Sequence, residues 1–365
     1  MRDPYHYPDM VSRVNIYTTQ RSKRGFMQEK LLKTVSRHLL PANGPGYSVS
    51  VELDGNPIFK HYSGYANLDY DIPIDSKTVF GVASLAKQFM ACCIAILACE
   101  NRLDLDEPIH TYFPEFSDKI TIRHLIFHTA GIYPQYEPGE YDIYYNDGYD
   151  MLAGILESVT GTNEHEYANQ HIFAPLGMAN THFHVNEDII IKNAATAYKQ
   201  TGSKSYNYNH DIDTYELFDN RGNPACGSDG LWTTADDLAL WHDCLMNRHL
   251  PGAPDGLFDL LFSPFTLNSG ELNQFGFGFF YAKDSRDIIW QHGDCSGWQC
   301  VMRAYLKEKL SIIVLSNFRQ AKPVELALDL ENVIIVSLFH LPKQSNYLSD
   351  YWDIRNKIKE RLSNN

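Results

Sequence analysis

Thr78-Val79-Phe80-Gly81-Val82-Ala83-Ser84-Leu85-Ala86-Lys87-Gln88-Phe89 opens an apolar run that continues to Cys99. That run has helical character, and on a helix residues three apart share one face, which sets the Lys87 amine beside the Ser84 hydroxyl. A serine hydroxyl is a weak nucleophile until a base takes its proton. A lysine can be that base only where burial or a neighbouring cation lowers its pKa from about 10.4 toward neutrality. A shift of about three units costs roughly 4 kcal/mol, so such a site must be partly dry. Phe80, Val82, Phe89, Met90 and the alanine and cysteine run supply apolar surroundings of that kind. The S-x-x-K spacing also arises by chance in many chains, so the rest of the sequence decides its weight.

Upstream, Gly25 to Leu40 places Phe26, Leu31, Leu32, Val35 and Leu39 near helical spacing, ended by Pro41. Tyr47 to Leu53 and Ile58 to Tyr65 alternate like strands around the turn Asp54-Gly55-Asn56-Pro57, which predicts a hairpin. Downstream, Ile122 to Phe127, Tyr149 to Val159 and Asp236 to Cys244 read as helices. Strands return at Gly276 to Ala282, Ile288 to His292, Gln299 to Tyr305 and Leu310 to Ser316. Val324 to Phe339 is amphipathic and helical, and Tyr351 to Asn365 is charged enough for a solvated helix or frayed tail. The two ends of the chain are therefore expected to complete one sheet.

Composition narrows the function classes. With 365 residues and 44% hydrophobic content the chain can bury a large core, about two domains' worth. Its formal charge of -14 disfavours nucleic acid and anionic membrane surfaces as partners. The start of the sequence lacks the apolar core of a secretory signal, and the run Phe89 to Cys99 is eleven residues against the roughly 20 that span a bilayer. Seven cysteines, an odd number without C-x-x-C spacing, read as reduced thiols. Together these predict a soluble, cytoplasmic protein with no membrane partner.

Two further motifs follow in order: Tyr144-Tyr145-Asn146 in a Gly- and Asp-rich loop, and His292-Gly293-Asp294 on an expected strand. The ordered set S-x-x-K, Y-x-N and H-x-G resembles class C β-lactamases, DD-peptidases, D-aminopeptidases and related esterases. The stretches Leu103 to Pro108, Thr121 to Gly131, Tyr144 to Gly161, Gly230 to Leu238 and Phe275 to Gly278 are similar to that family in the same order. The resemblance runs from about Gly46 to Asn317.

It implies an α+β fold, an antiparallel sheet flanked by helices with a mostly helical domain beside it. The expected division is an extension at 1–24, a sheet domain from 25–75 and 271–345, a helical domain at 76–270 and a charged tail at 346–365. It implies acyl transfer without cofactor or metal. Ser84 attacks a carbonyl, Lys87 and Tyr144 move the proton, and Asn146 orients substrate and lysine. The backbone N–H groups of Ser84 and Cys295 form the oxyanion hole. A tyrosine beside an ammonium can share one proton with it, which gives the pairing a physical basis. His292, in a motif that is commonly Lys-Thr-Gly in β-lactamases, points toward peptidases and esterases. Asp294 departs from the usual glycine on an edge that approaches the substrate, so substrate contact at Gly293 and its neighbours is where the pattern is weakest.

Three rival readings are available. Gly293-Asp294-Cys295-Ser296-Gly297 has the form of a nucleophile elbow for Cys295, but an elbow needs a following helix and Trp298 to Tyr305 alternates like a strand. His124, His128, His182 and His184 could be imagined as metal ligands, although fifteen histidines make such spacings common. A binding or regulatory protein that keeps the fold without turnover is the third, with Asp294 as its best support. The expected partner is a small ester, amide or short peptide. Tyr133 to Tyr149 with Trp232, Phe275 and Trp298 offer rings that either line a pocket or pack the core.

Overall fold

The computed structural model describes residues 20–38, 40, 43–132, 136–185, 190–201, 205–208, 227–283 and 285–339. The expectations for residues 1–19, for Tyr133 and for the tail at 346–365 lie outside them. The first helix, α1 (Gln20–Ser36), starts five residues inside the expected extension.

One six-stranded antiparallel sheet organises the chain. Its strands are β1 (Tyr47–Leu53), β2 (Asn56–Ser63), β3 (Phe280–Ala282), β4 (Ser285–Cys295), β5 (Trp298–Tyr305) and β6 (Leu310–Ser316). They run in the order β3-β4-β5-β6-β1-β2, so the first hairpin of the chain joins the last through β1 and β6. That pairing runs from Tyr47 opposite Ser316 to Leu53 opposite Leu310, and both strands are buried almost throughout. Asp54 and Gly55, with φ of 50° and 69°, make the turn that the sequence marked between β1 and β2.

Alternation along the strands splits the core in two. Val49, Val51, Val301, Ile312 and Val314 pack against Leu31 and Val35 of α1 and Leu326 and Leu330 of a helix we call α6 (Pro323–Ile334). Cys300, Met302, Ile313 and Leu315 face the other way. They join α2 (Ala86–Cys99), α3 (Ile122–Ile126), α4 (Asp147–Thr160) and α5 (Ala235–Asn247) in the larger core. Every residue from Ala86 to Leu97 in α2 is buried, which explains the unbroken apolar run. Across the first face, Arg303 of β5 meets Glu331 of α6 at 2.5 Å, both almost completely buried. Among the described residues no helix is long and apolar enough to cross a membrane.

One strand is much shorter than its sequence suggests. The alternation from Gly276 to Ala282 reads as a strand, yet only Phe280–Ala282 pairs. Gly276 N–H instead bonds Phe279 O at 2.7 Å, and Gly278 takes a φ of +79°. A Cβ on Gly278 would lie 2.4 Å from Lys87 O, so the glycine lets this turn rest on the start of α2. The last helix likewise changes character at Ile334, passing into a wider turn over Ile335–Phe339.

His242 of α5 is fully buried under the sheet, with Nδ1 2.5 Å from Ser311 Oγ. Burial lowers its pKa from 6.5 to about 3. Between those values the unfolded chain holds a proton that the folded chain does not. Stability therefore rises with pH across that window and is fully present above about 6.5. The melting temperature is expected to fall on acidification from pH 7 to 5, and more shallowly in His242→Gln. Equal slopes in wild type and variant would show that this histidine does not titrate on unfolding.

Candidate active site

The site begins at a strained turn. Ala83–Leu85 form a single 3-10 turn, and Ala83 sits at φ 47°, a left-handed conformation that costs a non-glycine residue roughly 1–2 kcal/mol. Its surroundings hold it. Val82 N–H donates to Leu231 O at 2.9 Å, and the Cys300 thiol donates to Val82 O at 3.1 Å. Gln291 Nε2 donates to Ser84 O at 3.1 Å, and the Trp298 indole packs on Gly81. The turn delivers Ser84, half-buried, to the N-terminus of α2, with Lys87 one turn further on.

Lys87 has no exposed surface. Its Nζ donates to Ser84 Oγ at 3.1 Å, to Asn146 Oδ1 at 3.0 Å and to Ser228 O at 2.8 Å. Polar partners from three segments thus surround the buried amine. Asn146 is placed at the N-cap of α4, and the Ser228 N–H is held by Asp150 Oδ1 at 3.2 Å. Burial raises the Asp150 carboxyl, and its bonds to Ser228 and the Lys87 charge pull it back.

The Tyr144 ring centroid lies 5.0 Å from Lys87 Nζ. That ring packs against His128 at 4.6 Å, Phe275 at 5.9 Å and Phe280 at 6.1 Å. His128 is buried with a φ of 56°, and its Nδ1 faces the Tyr145 N–H at 3.5 Å. Burial, reinforced by the Lys87 charge, holds this imidazole well below the ordinary histidine range, so it packs as a neutral ring.

β4 closes the site. Gly293 stands against the turn so closely that a Cβ there would lie 2.3 Å from Val82 O and 2.5 Å from Cys300 Sγ. Gln291 and Gly293 thus face the Ser84 turn. Trp290 and His292 leave the strand on the other face, where Trp290 stacks on Phe280 at 4.5 Å beside Tyr144. Cys295 ends the strand opposite Trp298.

The sequence motifs therefore converge. Ser84, Lys87 and Asn146 are joined by hydrogen bonds, Tyr144 lies alongside, and His292, Gly293 and Cys295 share the neighbouring strand. Sequence reading missed Ser228, whose contribution is a backbone carbonyl with no side-chain signature, and Gln291, whose amide steadies the nucleophile turn. It also read His128 only as a possible ligand or structural turn. The crowding of Tyr144, Tyr145 and Tyr149 around one His-Thr-Ala-Gly turn was the available signal.

The rival motifs acquire other roles. Burial, followed by the Asp229 charge, pushes the Cys295 thiol up to about 12, which disfavours a thiolate. After it come the turn Ser296-Gly297 and strand β5, not a helix. His124 Nδ1 accepts the Thr121 N–H at 3.1 Å and meets Thr121 Oγ1 at 2.9 Å, a capping box for α3. Phe275 and Trp298 are both core rings at 4% exposure, with Trp232 half-buried beside Trp298 at 5.2 Å.

A Ser-x-x-Lys pair on a buried helix, faced by a tyrosine and by the inner strand of an antiparallel sheet, defines an active-site-serine hydrolase. The chain belongs to the Beta-lactamase family, whose model matches residues 35–333. It is 26% identical over 324 residues to Penicillin-binding protein 4* of Bacillus subtilis (strain 168), covering 75% of this chain and 68% of that one. It is 25% identical over 320 residues to a D-aminopeptidase of Gluconobacter oxydans (strain 621H), covering 78% of this chain but 58% of the relative. The octameric penicillin-binding protein homologue from Pyrococcus abyssi shares the fold, with a TM-score of 0.70, 20% identity and coverage of 88% of this chain and 78% of that one.

The contact at Gly293 is directly testable. Gly293→Ala must push β4 off the Ser84 turn, and is expected to lose about 1–3 kcal/mol in urea denaturation together with most turnover. Wild-type stability and turnover in this variant would mean that the strand is not seated on Val82.

Proposed function

We propose that Ser84 is the nucleophile of an acyl-transfer reaction on a small ester, amide or short peptide. The observation that carries this reading is the Lys87 Nζ at 3.1 Å from Ser84 Oγ, with no exposed surface on the lysine. Ser84 Oγ forms a bond to the substrate carbonyl carbon while its proton passes to the Lys87 and Tyr144 pair. The carbonyl oxygen becomes an oxyanion facing the N–H groups of Ser84 and Cys295. The bond to the leaving group then breaks, and the pair returns the proton to the departing alkoxide or amine. Water, or another nucleophile, releases the acyl group by the same route in reverse.

Asn146 holds the lysine and presents its side chain toward the substrate. Gly293 seats β4 against Val82 beside the Ser84 turn, and His292 stands on the strand face shared with Trp290. The D-aminopeptidase relative favours amides with a D-configured residue among the candidates. The charge of -14 favours a small neutral or cationic partner over nucleic acid. Free, buried thiols at Cys92, Cys93, Cys244 and Cys300 support a reducing, cytoplasmic setting. The reading as a binding protein without turnover drew its support from Asp294, whose side chain has other partners in the fold.

Kinetics on p-nitrophenyl butyrate and D-alanine p-nitroanilide test the assignment. Tyr144→Phe and Lys87→Met are each expected to lower kcat by about 10²–10⁴-fold, with KM changed only a few-fold. Undiminished turnover in either variant contradicts the assigned proton path.

A further inference from the structure

Asp294 lies near the end of β4, next to the residue assigned above as an oxyanion donor. Strand alternation sends its side chain to the face opposite Gly293, so it does not enter the contact with Val82. Its Oδ1 instead accepts Gln299 Nε2 from the facing strand at 2.7 Å and pairs with Arg319 Nη1. The Asp294 carboxylate is mostly shielded from solvent, while the Arg319 guanidinium reaches it from the exposed surface.

Arg319 is itself anchored. Its backbone N–H donates to Tyr198 O at 2.8 Å, and Tyr198 in turn donates to Asn317 O at 2.8 Å. The tip of the β4–β5 hairpin touches the same segment, since a Cβ on Gly297 would meet Ala197 Cβ at 3.0 Å. That tip needs support. Ser296 and Gly297 both adopt positive φ, 46° and 101°, and the serine is strained there. The strand is fixed on the Ser84 turn at Gln291 and Gly293, but its last two residues run past that anchorage.

We propose that Asp294 and Arg319 are positioning residues: their ion pair fixes the end of β4 and thereby aims the backbone N–H of Cys295. The inference rests on the reading of Cys295 N–H as an oxyanion donor. A pair that only stabilised the fold would change melting temperature and leave catalysis alone. A pair that aims the donor changes kcat, because the oxyanion exists only in the transition state.

The test compares wild type, Asp294→Asn, Arg319→Gln, the double variant and the charge swap Asp294→Arg/Arg319→Asp. On p-nitrophenyl butyrate each single variant is expected to lower kcat about ten-fold or more with KM within two-fold, since removing one oxyanion donor outright costs about 10²–10³. The double variant should be no worse than either single one, and the swap should recover part of the loss. Amide hydrogen exchange at residues 294–297 should quicken in Arg319→Gln, a readout independent of turnover. Unchanged kcat and unchanged exchange overturn the proposal, as does a loss confined to melting temperature. Faster exchange in a variant that keeps wild-type kcat would retain the clamp and refute the oxyanion role of Cys295, whereas a wild-type protein without turnover defeats the hydrolase reading itself.

Discussion

A lysine side chain with no exposed surface must find an acceptor for each N–H it carries, because an uncompensated buried charge costs several kcal/mol. Lys87 finds three, from three segments of the chain: Ser84 in the 3-10 turn just before α2, Asn146 at the start of α4 and the Ser228 carbonyl in a turn before α5. Much of the helical region can be understood as bringing those acceptors to one point. The buried face of α4, the bond from Asp150 to the Ser228 N–H and the packing of Tyr144 on His128 all serve that convergence.

The sheet meets this centre through places where a side chain would be in the way. Gly293 lets β4 touch Val82, and Gly278 lets the turn before β3 rest on Lys87 O. Between these contacts the Ser84 turn is held in a conformation that Ala83 would not adopt alone. The proposed chemistry thus depends on a join: the Ser84 turn on the helical side and β4 on the strand side, kept at fixed spacing by backbone contact. The neutral His128 contributes by shape, filling the space beneath Tyr144 without adding a second positive charge beside the lysine.

Much of this was legible in the sequence. The S-x-x-K spacing foretold that the Ser84 and Lys87 side chains meet, although Ser84 lies in a 3-10 turn and the helix begins only at Ala86, and β6 has the expected bounds, Leu310 to Ser316, because alternation and β-branched residues agree there. The strand expected from Gly276 failed because Gly-Phe-Gly-Phe alternates without being extended; only tertiary contact with Lys87 reveals the turn. Ser228 was invisible because carbonyls carry no residue code. Asp294 was legible as a departure, but its meaning lay in Arg319, a partner that only the β5–β6 pairing and the turn beyond it bring near.

The claim at the centre is that Ser84 is activated by Lys87. Intact-protein mass spectrometry after incubation with a fluorophosphonate tests it most directly. One adduct per chain is expected that maps to Ser84 by peptide sequencing, is absent from Ser84→Ala and forms far more slowly in Lys87→Met. A folded protein that stays unmodified, or an adduct that persists in Ser84→Ala, would contradict it.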